Sequence, residues 1–77
     1  MSTRNVLSIW TVYDQPRDFP DHFVARRFEV ESTGPQATDD VIVSRELEHV
    51  RQSLALRGLM VLPRSSNDEQ HIIECWL

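Results

Sequence analysis

Apolar positions along this chain fall into short blocks, separated by stretches rich in proline, glycine and aspartate, a spacing that suits strands better than long helices. The first block, Val6 to Tyr13, is rich in β-branched and aromatic residues and has the length of one strand. Alternation sends Val6, Trp10 and Val12 to one side and Leu7, Ile9 and Tyr13 to the other. Apolar groups on both sides predict a central strand, or one whose second face is covered by another subunit. A second strand is predicted over His22 to Glu31, with Val24, Arg26, Phe28 and Val30 on one face. Phe23, Ala25, Arg27, Glu29 and Glu31 take the other face, and the later half is amphipathic, as in an antiparallel sheet with one solvated side. Between these blocks, Asp14 to Asp21 holds Pro16 and Pro20, whose nitrogens donate no ladder hydrogen bond, so this stretch is predicted to be a loop.

Ser32 to Asp40 carries turn chemistry centred on Gly34-Pro35, and Val41 to Val43 suits a short strand leading into a helix. Ser44 is the expected N-cap, with Glu46 in the first turn where the helix dipole favours an anion. Val43, Leu47, Val50 and Leu54 follow a 4-3-4 spacing that draws one apolar stripe, while Arg45, Glu46, Glu48, His49, Arg51 and Gln52 cover the remainder. Arg57-Gly58 is the expected stop, a cation followed by a residue free to adopt the left-handed conformation. Leu59 to Leu62 reads as a short strand ended by Pro63, Arg64 to Glu69 as a loop, and Gln70 to Leu77 as the last strand. In that strand Ile72, Glu74 and Trp76 are expected on one face, with His71, Ile73, Cys75 and Leu77 on the other. The predicted order is β-β-(β)-α-β-β: an α+β fold with a small antiparallel sheet of four to five strands and one helix packed on one face. Residues 1–77 form one domain in this reading, with residues 1–5 disordered.

Length sharpens the picture. A chain of 77 residues buries only about 60–65% of its unfolded surface, so its core is small. Cys75 is the single cysteine, which rules out a disulfide within the chain and makes homodimerisation a reasonable source of further burial. The absence of a long apolar run or a signal-like N-terminus points to a cytoplasmic protein that does not engage membranes. The formal charge of −4 argues against nucleic acid as a partner, because phosphate neutralisation needs clustered cations. All eight cations are arginine, which fits either a GC-rich genome or a preference for bidentate guanidinium contacts.

Candidate chemistry concentrates in the first loop. Asp14, Asp18, Asp21 and His22 offer up to four ligands within nine residues, but the spacing lacks the alternate acids and central glycine of a calcium loop, and Arg17 lies in the middle. The simpler reading gives these aspartates to turns around the two prolines. Arg26 shares a face with Val24 and Phe28, which predicts partial burial and a carboxylate partner such as Asp14 or Glu74. With Arg17 it could alternatively form an anion receptor. His71 and Cys75, four residues apart, stand about 13 Å apart along an extended strand, too far for a nucleophile and its base. The histidines and the cysteine show no zinc spacing. Neither cofactor nor metal is therefore expected. Trp10 and Trp76 are core residues unless part of their surface is exposed, in which case they would anchor an interface.

The segments Trp10-x-x-Tyr13-Asp14-x-Pro16-x-Asp18-Phe19-Pro20-Asp21-x-Phe23-Val24-Ala25-Arg26 and Glu74-x-Trp76-Leu77 resemble a family of short uncharacterised bacterial proteins. The family pattern is a Trp-x-x-Tyr-Asp start, a Pro-Asp-x-Phe-Val-Ala-Arg strand and a Glu-x-Trp-hydrophobic end, with Thr or Val where this chain has Cys75. The resemblance implies a free-standing bacterial protein, of a kind that can be phage-linked, and brings no activity with it. Two functions remain: a non-enzymatic module that binds another protein or itself, or a binder of small molecules or anions at the 14–22 loop and Arg26.

Overall fold

A computed structural model describes residues 7–63 and 71–77, so the expectations for residues 1–5, for Val6, for the loop at 64–69 and for Gln70 lie outside the described residues. Along the chain run β1 (Leu7–Asp14), β2 (Phe23–Glu31), β3 (Gly34–Ser44), α1 (Leu47–Ala55), β4 (Val61–Pro63) and β5 (Ile72–Trp76). The α+β class holds, with one antiparallel sheet of five strands. Its spatial order is β3-β2-β1-β5-β4, which differs from the order along the chain and places β1 at the centre.

Register decides which side chains share a face. Trp10 stands opposite both Arg27 and Trp76, and Val12 opposite both Ala25 and Glu74, so these residues line one side of the sheet. Val50 and Leu54 of α1 join Trp10, Val12, Ala25 and Trp76 in a single core cluster, with Phe23, Ile42, Leu47, Leu59 and Ile73 packed around it. Leu54 and Val50 are wholly buried, each contributing about 1.5–3 kcal/mol by leaving water.

At the edge of this cluster sits a buried carboxylate, Glu74, only 6% exposed. Its Oε2 accepts hydrogen bonds from the Trp76 indole Nε1 (2.8 Å) and from Arg51 Nε (3.1 Å), while Oε1 accepts from Arg51 Nη2 (2.9 Å). The fork from Arg51 is bidentate, the arrangement in which a guanidinium best matches a carboxylate. These bonds also hold the Arg51 guanidinium protonated above its ordinary range.

Past the helix the same face turns polar. Arg27 Nε donates to Asp40 (2.6 Å), and its Nη1 donates to Glu29 (3.0 Å) and Ser8 (3.2 Å). Asp40 reaches Arg27 because extra residues of β3 bulge outward: Arg26 pairs with Val41 but Phe28 pairs with Ala37. The Thr38 hydroxyl stitches the bulge, donating to the Arg27 carbonyl and accepting from the Asp40 N–H.

Four expectations need correction. The turn predicted over 32–40 is confined to Ser32-Thr33, with Gly34 at φ +115°, and the strand predicted at 41–43 is eleven residues long. Pro35 is tolerated there because β3 is an edge strand, where a missing N–H breaks no ladder bond. Ser44 ends β3 instead of capping the helix. Its hydroxyl accepts from the Glu46 N–H, and Glu46 occupies the cap position without a side-chain bond. Val43 consequently leaves the helical stripe, which is Leu47, Val50 and Leu54. In β5 a bulge opposite Val12/Tyr13 pairs Tyr13 with Ile72, so Ile72 and Ile73 exchange the faces that strict alternation assigns them.

Glu74 makes a test of how the helix is held. Arg51→Ala and Glu74→Ala should each lower unfolding free energy by about 1–3 kcal/mol. In urea titrations the double variant should lose clearly less than the sum, since both changes remove the same contact.

Candidate functional site

The loop between β1 and β2 is closed by backbone bonds. Gln15 N–H donates to the His22 carbonyl (3.0 Å), with Gln15 itself in the left-handed region at φ 51°. Inside this gate, Phe19 N–H donates to Pro16 and His22 N–H to Phe19, forming two successive turns. The Phe19 and His22 rings meet edge to face at 6.2 Å. The backbone, and not the aspartate side chains, thus makes these turns.

Arg26 pairs with Asp18 across the loop, which corrects the expected partners Asp14 and Glu74: Glu74 lies on the opposite face, where Arg51 engages it. Asp14 ends β1 and donates its N–H to the His71 carbonyl at 2.7 Å. Asp21 is exposed, and His22 is half-buried against Phe19. Arg17 and Arg26 do not converge. Arg17 borders a cavity of about 290 Å³ with Tyr13, Pro16 and His71, and Arg26 is not in its lining. Among the described residues, no three His, Cys, Asp or Glu side chains come close enough together to hold a metal ion.

Trp10 and Trp76 are 4% and 8% exposed, so neither meets the condition for an interface anchor. The Arg57 guanidinium lies over the Trp10 ring at 5.1 Å, a cation–π contact that closes the core on that side.

The less expected feature is the sheet face opposite α1. Pairing of Leu7 with Val30, Ile9 with Phe28, Thr11 with Arg26 and Cys75, and Tyr13 with Val24 and Ile72 gathers these residues there. Val43, Val41, Ala37 and Pro35 of β3 continue the same face through their partners Val24, Arg26, Phe28 and Val30. A concavity of about 310 Å³ lies at its middle, lined by Ile9, Thr11, Tyr13, Phe28, Val30, Pro35, Ile72 and Cys75. Among the strand residues of this face the one described charge is Arg26, outside the lining of the concavity and matched by Asp18. Two-sided apolar alternation in β1 already hints at this face. The contributions of Pro35, Ala37 and Ile72 are hidden, because β3 looks like a turn and β5 carries a bulge.

No protein-family model, curated protein or solved structure matches the chain.

The Arg26–Asp18 pair joins two side chains that are 36% and 55% exposed, so water screens it. Asp18→Asn should change stability by less than about 1 kcal/mol in thermal or urea unfolding. A larger loss would make the loop a structural keystone instead of a surface connection.

Proposed function

We propose that the protein is a non-enzymatic interaction module that docks an apolar segment of another polypeptide on the sheet face opposite α1. The observation that carries this reading is the continuity of that face: Ile9, Phe28, Val30 and Pro35 line the central concavity, and Leu7, Val41 and Val43 extend the face beyond it. The corresponding end of the helix-bearing side is polar, with Ser8, Arg27, Glu29 and Asp40 bound to one another. Large contiguous apolar patches are uncommon on monomeric soluble proteins and commonly mark binding surfaces. The acidic balance and the matched charge of Arg26 favour a protein partner over nucleic acid. Among the described residues no helix is long and apolar enough to cross a membrane. A cytoplasmic protein of bacterial origin belongs to the same reading.

Phe28→Asp places a charge at the centre of the face and should lower affinity for a docked partner about tenfold or more, with the far-UV circular dichroism spectrum unchanged. Affinity capture of the tagged wild-type and Phe28→Asp proteins from lysate, compared by mass spectrometry, checks this. Identical sets of captured proteins would count against the face.

A second reading, binding of a small anion, draws on Arg17 and His71 bordering one cavity with Tyr13. It expects phosphate to raise the melting temperature of the wild type and to leave Arg17→Ala unmoved. Equal responses of the two proteins would remove it.

A further inference from the structure

From the two edges of the sheet we infer that a second copy of this chain pairs with β4, antiparallel and about a two-fold axis at Val61, to form one continuous ten-stranded sheet. Met60 and Leu77 exchange both backbone hydrogen bonds, Met60 N–H to Leu77 C=O at 2.8 Å and Leu77 N–H to Met60 C=O at 3.0 Å. In an antiparallel ladder such pairs alternate with pairs that share no bond, and Val61 opposite Trp76 is the next pair along. The N–H and C=O of Val61 therefore point away from β5. On that side β4 has no neighbouring strand among the described residues.

The surroundings of this edge fit a copy of itself. Of eight large apolar side chains that stand exposed among the described residues, five belong to the segment 56–62 and to Leu77, which pairs with it. Leu56 is 89% exposed and Met60 75%. Residues 59–63 carry no charge, so two copies of a chain with net charge −4 can meet there without placing like charges opposite each other. An antiparallel strand pair about a two-fold axis uses the same strand on both sides. Val61 donates to and accepts from the partner's Val61, and the contact closes at two subunits.

The opposite edge explains why growth stops there. β3 carries the bulge at Thr38–Asp40, exposed Asp39 and Asp40, and Pro35, the devices by which edge strands resist pairing. A β3–β3 contact would set acids against acids, and a β3–β4 contact would run on into open filaments. The β4 edge is short and ends at Pro63, which has no N–H to offer a neighbour, so pairing there is confined to the two bonds at Val61 and the apolar side chains around it. This inference stands apart from the docking face, which it would extend across two subunits.

Light scattering on the full chain should give a dimer, and Val61→Pro should give a monomer. The substitution removes an N–H that points away from β5, so the internal ladder and the near-ultraviolet signal of Trp10 and Trp76 should persist. Because a proline variant can misfold, a second measurement uses Val61→Cys in a Cys75→Ser background. Residues facing each other across a bonded antiparallel pair lie about 5.5 Å apart at Cα, within disulfide range. Mild oxidation should therefore give a covalent dimer, while Gln36→Cys in the same background, on the β3 edge, should not. A native monomer, or a dimer that forms no Val61→Cys cross-link, overturns the inference. A dimer broken by Phe28→Asp but kept by Val61→Pro also overturns it, and would place the second copy on the docking face, leaving that face's role in association intact.

Discussion

One buried carboxylate joins the helix to the middle of the sheet. A nine-residue helix spans only about 13 Å and would not persist alone in water. Glu74 accepts from Arg51 on that helix and from the indole of Trp76, two residues along its own strand, and so ties α1 to β5 at a fixed height. In this pair the carboxylate is buried and the guanidinium is 40% exposed, so the contact fixes geometry more than it adds net stability. It acts beside Val50 and Leu54, whose burial against Trp10, Val12, Ala25 and Trp76 makes the core.

That core is small because one short helix cannot cover five strands. The protein treats its two sheet faces differently in consequence. Where α1 ends, the helix-bearing side passes to a salt-linked group around Arg27, well suited to water. On the other side β1, β2 and β3 are mostly apolar to the edge, and the Arg26–Asp18 pair beside Thr11 interrupts them. A face built this way gains from being covered, and the cost of leaving it bare falls on a chain with little stability in reserve.

Much of this was legible from residue order. Alternation in β1 and β2 placed Trp10, Val12, Val24 and Phe28 on their observed sides, and the Leu47–Val50–Leu54 spacing identified the helical stripe. What escaped was decided by long-range pairing. Gly34, Pro35, Thr38, Asp39 and Asp40 have the local preferences of a turn, but alignment against β2 extends them, with Arg27 stabilising the bulge. The exchange of Ile72 and Ile73 depends on a register shift against β1, some sixty positions away, which no local pattern encodes. In the candidate loop the prolines and the loop itself were readable. The choice of Asp18 as Arg26's partner was not, since it follows from how two backbone-closed turns fold back over β2.

The placement of β5 between β1 and β4 also sets an order of assembly. The β1–β2 and β2–β3 hairpins join neighbours in sequence, whereas β5 must cross most of the chain to reach β1. Closing so long a loop costs entropy before any contact rewards it, so the three-stranded half is the natural nucleus and the β4–β5 half its late addition. Among the described residues of one chain β4 pairs only with β5, so in a single copy those two strands can leave together as one cooperative unit, and the helix then loses its contact with Glu74. The strand that carries Glu74 is thus a clasp closed across the longest sequence separation in the sheet.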